Sequence, residues 1–330
     1  MPVVLITPEE MLHKQTSFVE LLSEAGFEIE FPEDPTFARG LCSEDETIRQ
    51  LSVCDAVIAG GEHFTAKVFS ALPRLRVVAR AGVGYDRVDL AAATVCGIPV
   101  TITPTANFDA VAEQAIALLL ALAKSVVIND RRARSGWKRR MTRPVRGSTL
   151  GLFGLGRIGR AVAVRALGLG MRVLACETQP DQHFIEKQGI ELVDFDRLLG
   201  ESDFLSIHCP LSQETQGMFD RAVFARMKPD AVLINTARGK IVAEADLIEA
   251  LRTGRLQAAG LDVMEQEPPA SENPLLQFDN VVLSPHIGGE DTLSSEMMGI
   301  EAASCIIDLN RGHWPQGSVV NDELQQNWTW

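Results

Sequence analysis

Nothing in these 330 residues pairs its cysteines: no CxxC occurs, and the six thiols (Cys42, Cys54, Cys96, Cys176, Cys209 and Cys305) lie scattered, several inside apolar runs. Such spacing offers neither a disulfide framework nor a zinc site, and those within apolar runs fit the role of small core hydrophobes. Long hydrophobic runs are also missing. The longest apolar stretch, Ala115 to Ala123, stops at Lys124, about half the length a bilayer requires, so neither a transmembrane helix nor a membrane partner is expected. The opening MPVVLITPEE lacks a basic segment followed by an extended apolar run. Its Val3 and Leu5 suit a first buried strand better than a signal peptide, which places the chain in the cytoplasm. Positive charge is scarce as well: 31 Lys and Arg against 44 Asp and Glu leave a formal charge of -13, the wrong sign for a nucleic-acid partner. The one basic cluster, Arg131 to Arg146, contains Pro and Gly and is expected to be an exposed connection. No repeat with a period of about 20 to 50 residues is visible, which argues against a solenoid.

What is present is an ordinary globular balance, 46% hydrophobic and 23% charged, in a length that suits two domains. Strand-length apolar runs alternate with helix-like segments, the pattern of parallel sheets covered by helices. Val3 to Thr7, Ala56 to Ala59, Val77 to Arg80 and Val100 to Thr103 are expected strands of a first unit. His13 to Ala25, Ser43 to Val53, Thr65 to Leu72 and Leu90 to Cys96 are its expected helices. A single long helix is predicted over Ala110 to Ser135, with Asp109 as its cap and Gly136 beyond its end. A second alternating series starts at Thr149, and Ser294 to Arg311 has the helical spacing to return the chain to the first unit. The expected fold class is therefore α/β, with two doubly wound parallel-sheet domains. Residues 1–103 and 296–330 form a discontinuous outer domain, and 104–295 form an inserted one.

GLGRIG, Gly154 to Gly159, directly follows the strand pattern TLGLF and opens a helix. In that setting the first glycine allows a tight turn, Gly156 lets the backbone approach a pyrophosphate, and Gly159 lets helix and strand pack closely. The helix start presents unpaired N–H groups and partial positive charge to phosphates, so the backbone at Arg157 and Ile158 is expected to contact them. Glu177 stands where an acidic residue receives the adenosine ribose hydroxyls, and its charge opposes the extra phosphate of NADP. The expected cofactor is NAD.

Seven motifs in order, RAGVGYDRVDL (from Arg80), TPTANFDAVAE (from Thr103), GLGRIG, HCPLSQET (from His208), INTARGKIV (from Ile234), LDVMEQEPP (from Leu261) and SPHIGG (from Ser284), make the chain resemble the D-isomer-specific 2-hydroxyacid dehydrogenases. The resemblance runs from about Pro2 to Asn321. It implies a Rossmann NAD-binding domain inserted into a flavodoxin-like substrate domain, and hydride transfer between nicotinamide and C2 of a 3-phosphoglycerate, glyoxylate or hydroxypyruvate type of acid. Arg238, just past the strand AVLIN, suits the substrate carboxylate and carbonyl, because a guanidinium can bind two oxygens at once. His286, ending VVLSPH, is the best proton donor and acceptor, its ordinary pKa of about 6.5 lying near working pH. His208 also ends a strand and is its rival, but the family pattern sets His208, Cys209, Pro210 and Thr215 beside the cofactor. Glu267 is the expected partner of the imidazole, holding its tautomer and favouring its protonated form; the nearby Glu265 is set aside because the family's partner immediately precedes the Pro pair. Asp262 is expected to take the nicotinamide carboxamide, with Thr236, Ala237 and Gly288 orienting the ring alongside Arg238 and His286. Backbone N–H groups of Gly82, Val83 and Gly84 are implied to hold the substrate carboxylate.

Departures bear on the substrate. Family phosphoglycerate enzymes often carry an Arg near the place of Ala59, where this chain reads AGGEHFTA, so Lys67, Arg80 or a partner subunit would have to supply the charge. The competing reading is an NAD(H)-sensing corepressor-like protein of the same fold, for which no docking groove or disordered tail is evident. The long Ala110 to Ser135 helix and its Trp137 neighbourhood resemble the family's dimer-forming region, so a homodimer is expected.

Overall fold

A computed structural model describes residues 1–12 and 15–330, in two compact units: Met1–Asn107 with Glu290–Trp330, and Phe108–Gly289. The division falls at Asn107 and Gly289, where the sequence reading placed it at 103 and 295.

In the first unit, β1 (Val3–Ile6), β2 (Glu28–Glu30), β3 (Ala56–Ala59), β4 (Val77–Arg80) and β5 (Val100–Thr101) form one parallel sheet in the order β2-β1-β3-β4-β5. That order is the flavodoxin-like one. Because side chains alternate along a strand, both faces must be apolar. Val4, Ile6, Ala56, Ile58, Val77 and Ala79 pack on one side with the helices Ser17–Glu24 and Thr292–Asn310. Leu5, Val57, Ala59, Val78 and Val100 pack on the other with Leu51, Val68, Phe69 and Ala93. The Thr292–Asn310 helix thus belongs to the first sheet. The helix expected from His13 begins at Ser17, and His13 itself lies outside the described residues.

The second unit holds β6 (Thr149–Phe153), β7 (Arg172–Cys176), β8 (Glu191–Leu192), β9 (Phe204–Ile207), β10 (Val232–Asn235), β11 (Ala258–Leu261) and β12 (Val281–Leu283). All pairs are parallel, in the order β12-β11-β10-β9-β6-β7-β8. Counted from β6, this is the Rossmann order with a seventh strand added beside the sixth. The order reverses between β6 and β9, and in such sheets ligands bind at the carboxyl ends of the strands flanking that point.

The long helix predicted over Ala110 to Ser135 is two helices, Phe108–Ala123 and Val126–Arg134, bent by 51°. Ser125 between them has φ 49°, and the free carbonyl of Ala123 accepts from the Arg143 N–H at 2.9 Å. The first helix is core, with Ala112, Ala115, Leu118 and Leu119 buried, whereas Val126–Arg134 buries no residue. Among the described residues no single helix is long and apolar enough to cross a membrane.

Candidate active site

At the switch point, GLGRIG makes the turn from β6 into the helix Arg157–Gly168. Gly154 has φ 103°, and a Cβ there would lie 2.8 Å from the carbonyl carbon and oxygen of His208, where the chain leaves β9. A Cβ on Gly159 would strike the Gly154 carbonyl, whereas one on Gly156 would meet nothing within 4 Å. The turn is therefore tight below and open above, and no side chain caps the helix that starts at Gly156. Its first N–H groups, at Arg157 and Ile158, are left for an anion. Glu177 follows β7 and accepts from the Leu155 N–H at 2.6 Å and the Gln179 N–H at 2.9 Å. Burial works against its charge, but the amides of Gln179, Leu155 and Thr178 outweigh that and hold the carboxyl below its ordinary value.

His208 lies against Ser206, Oγ to Nε2 2.8 Å, and burial pushes its pKa down to about 4. It is neutral at working pH, which removes it as a rival proton donor. Burial raises the Cys209 thiol to about 12, so it is no nucleophile. Thr215 ties this loop together, its hydroxyl donating to the Pro210 carbonyl at 2.8 Å and accepting from the Ser212 N–H at 2.7 Å. Near the end of β10, Thr236 is 8% exposed, and its hydroxyl oxygen is buried with no hydrogen-bond partner. An orphaned polar atom of that kind, past the carboxyl end of a strand in the sheet that carries the open glycine turn, fits a bound dinucleotide.

The catalytic candidates all lie in the second unit. Arg238 follows β10; its carbonyl accepts from Asn235 Nδ2 at 2.9 Å, and its Nη1 donates to the Ala237 carbonyl at 2.7 Å. His286 follows β12, and its Nδ1 lies 2.8 Å from Glu267 Oε2, while Glu267 Oε1 accepts from the Met264 N–H at 3.0 Å. With Nδ1 directed at the carboxylate, Nε2 is the ring nitrogen left for a reacting group. The imidazole side chain is 45% exposed, so a ligand can reach it. Glu265, the alternative carboxylate, instead meets the backbone of Glu244.

Asp262, 2% exposed after β11, accepts from the N–H groups of Ile287 (3.1 Å) and Gly288 (2.8 Å) and from Ser284 Oγ (2.5 Å). It therefore fastens the turn that carries His286, a task beyond the carboxamide contact expected of it. The N–H groups of Ala237 and Gly288 are engaged by Asn235 Oδ1 and Asp262 Oδ2, which narrows what their backbone can offer a nicotinamide. Sequence reasoning missed Asn235, Ser284 and Gln114, whose Nε2 donates to Ser284 Oγ at 2.8 Å. The signal for Asn235 was an amide at the end of a buried strand, where it can bond the backbone two residues on. Gln114 carries none.

In the first unit, Gly82 opens the glycine turn after β4, and its N–H donates to Thr103 Oγ1 at 2.8 Å. That narrows the donors expected for a substrate carboxylate to Val83 and Gly84. Lys67 is held by Asp45 (2.7 Å) and Glu44 (3.6 Å), and Arg80 is 9% exposed, 3.9 Å from Glu62.

A Rossmann sheet with a glycine turn at its switch point, joined by a carboxylate–imidazole pair and an arginine past neighbouring strands, defines a dinucleotide-dependent oxidoreductase. Residues 116–288 match the D-isomer specific 2-hydroxyacid dehydrogenase, NAD binding domain. A glyoxylate reductase of Korarchaeum cryptofilum is 42% identical over 290 residues, 86% of this chain and 87% of that protein. A D-3-phosphoglycerate dehydrogenase of Archaeoglobus fulgidus is 40% identical over 283 residues, 84% of this chain but 54% of that longer protein. Among solved structures, the TT0316 protein from Thermus thermophilus superposes with a TM-score of 0.84 at 34% identity, covering 96% of this chain and 99% of that one. The chain belongs to the D-isomer-specific 2-hydroxyacid dehydrogenase family, and its chemistry is nicotinamide-dependent oxidoreduction of a 2-hydroxy acid.

Proposed function

We propose that this protein is an NAD-dependent reductase of small, unphosphorylated 2-keto acids of the glyoxylate or hydroxypyruvate type, running in reverse on the D-2-hydroxy acids. The observation that carries the catalytic assignment is the 2.8 Å His286–Glu267 pair in the unit that also holds the dinucleotide turn and Arg238. Arg238 binds the substrate carboxylate and polarises the C2 carbonyl, so that negative charge developing on oxygen meets a fixed cation. His286 Nε2 gives that oxygen its proton, and Glu267 steadies the ring while its charge changes. Bound NADH supplies the hydride that reaches C2. Gly154, Gly156, Arg157, Ile158, Gly159, Glu177 and Thr236 hold the dinucleotide, with the His208–Thr215 loop and Asp262 beside it. Val83 and Gly84 hold the substrate carboxylate.

The engagement of Lys67 by Asp45 and Glu44, and of Arg80 by Glu62 and the Gly84 carbonyl, supports the unphosphorylated substrate, since neither cation is held out for a phosphate. NADH absorbance followed with glyoxylate, hydroxypyruvate, pyruvate and 3-phosphohydroxypyruvate tests the reading. Turnover of the first two, well ahead of the phosphorylated acid, is expected. NADH binding with no turnover of any of them would instead favour a dinucleotide sensor. The exposed Val126, Trp137 and Met141 support a homodimer formed through this segment, and a lone 36.0 kDa species in gel filtration would contradict it. The six free cysteines fit a reducing cytoplasm.

A further inference from the structure

The carboxyl ends of β3 and β4 carry a buried charge pair that the mechanism above leaves unused. Glu62, just past β3, is 1% exposed, and neither of its carboxylate oxygens has a hydrogen-bond partner in normal geometry. Arg80, the last residue of β4, brings Nη1 to 3.9 Å from Glu62 Oε2, and its Nε donates to the Gly84 carbonyl at 3.2 Å. The chain leading to Glu62 is fixed by Thr7, whose hydroxyl accepts from the Gly60 N–H at 3.2 Å and donates to the Ile58 carbonyl at 3.1 Å. On the other side, Thr103 accepts the Gly82 N–H and donates its own N–H to the Gly82 carbonyl at 3.0 Å. The glycine turn is thus tied at both ends, by Thr103 at Gly82 and by Arg80 at Gly84, with Val83 between.

A carboxyl taken out of water without hydrogen bonds is a poor choice for packing alone; an apolar residue of that size would be better tolerated. Burial pushes the Glu62 carboxyl above its ordinary range, with Thr7 and Arg80 pulling the other way. What the carboxylate does supply is a fixed counter-charge that sets where the Arg80 guanidinium can lie. We propose that Glu62 is a positioning residue for the substrate carboxylate: it holds Arg80 so that Arg80 in turn holds the Gly84 carbonyl, and with it the amides of Val83 and Gly84. This rests on the reading of that turn as a substrate-binding element.

Steady-state kinetics of Glu62→Gln, Glu62→Asp and Arg80→Lys, each checked by thermal melting, tests it. Glu62→Gln keeps the shape but removes the charge, and it should raise KM for the keto acid about tenfold while kcat and KM for NADH stay within about twofold. Glu62→Asp should recover most of that loss. Arg80→Lys loses the Nε donor and should show the same split, and the double variant Glu62→Gln/Arg80→Lys should be no worse than the poorer single one. An unchanged keto-acid KM in folded Glu62→Gln, or parallel losses in both KM values and kcat, overturns the proposal. Should Glu62→Gln fail to fold, Arg80→Lys decides it by the same split, with Glu62→Asp expected to stay close to wild type. Val83→Pro, which deletes one turn amide, separates the two readings. If a folded Val83→Pro leaves the keto-acid KM unchanged, the turn is not the substrate seat; if it raises that KM while Glu62→Gln does not, only the role of Glu62 falls.

Discussion

Gly239 is the position where one added methyl group should disable the site without touching a reacting group. It follows Arg238 directly and is buried against the loop between β11 and Glu267. A Cβ there would strike the Met264 carbonyl and lie 2.5 Å from the Glu265 nitrogen. Ordinary carbon–nitrogen contact is about 3.5 Å, so the loop must retreat by about 1 Å. Met264 donates its N–H to Glu267 Oε1 at 3.0 Å, and Glu267 holds His286 at 2.8 Å, so the displacement is passed to the imidazole. A further ~1 Å takes that bond beyond hydrogen-bonding range. Misplacement of that size costs about 10²-fold in rate, and the overpacking itself costs about 1–3 kcal/mol of stability. We expect Gly239→Ala to melt lower, to bind NADH within about threefold of wild type by fluorescence titration, and to lose about 10²-fold in kcat at saturating keto acid. The loss should nearly vanish when Gly239→Ala is added to Glu267→Ala, since the bond it breaks is already gone. A kcat within threefold of wild type would refute the reasoning, and an equal loss in the Glu267→Ala background would shift the effect to Arg238.

His286→Ala should lower kcat by about 10²–10⁴-fold while NADH binding persists, read by single-turnover absorbance and fluorescence titration; normal turnover would remove it as the proton donor. Glu177→Ser deletes the charge that opposes a 2′-phosphate and should raise the NADPH-to-NADH ratio of kcat/KM about 10–100-fold; an unchanged ratio would move cofactor choice elsewhere. His208, held near pKa 4, takes up a proton in the unfolded chain from about pH 6.5 downward but in the folded protein only near pH 4. Its contribution is therefore complete above pH 6.5 and lost as pH falls to 4, a change of about 3 kcal/mol. Urea unfolding of cofactor-free His208→Gln should accordingly show a flatter dependence between pH 6.5 and 4 than wild type; identical slopes would refute it.

The parts of this protein that were legible in the sequence are those whose cause is local. VVLI, AVIA and VVAR are buried on both faces and so carry only apolar residues until the strand ends. GLGRIG, NTARG and SPH each mark a strand's exit by residue types that the exit needs. The edge strands Glu28–Glu30 and Glu191–Leu192 lacked any such signal, because an edge tolerates charge and demands no apolar run. The break at Ser125 was hidden for a different reason: helical spacing continues through it, and what stops the helix is Arg143, brought back to the Ala123 carbonyl by the fold.

The same division runs through the site itself. Arg238, Glu267 and His286 sit in contiguous motifs, but what orients them comes from segments far apart in sequence. His286 has φ 57°, a left-handed backbone that costs a non-glycine residue about 1–3 kcal/mol, and nothing in the letters SPH announces it. The compensation comes from Asp262, which the end of β11 brings to the amides of Ile287 and Gly288, and behind it from Ser284 and Gln114. Hydrogen bonds to a charged group contribute about 1.5–3 kcal/mol each, enough for these to hold the strained turn. A reacting group can be recognised by its own chemistry, whereas a group that holds it is defined by its neighbours. Those neighbours exist only once β10, β11 and β12 lie side by side in register.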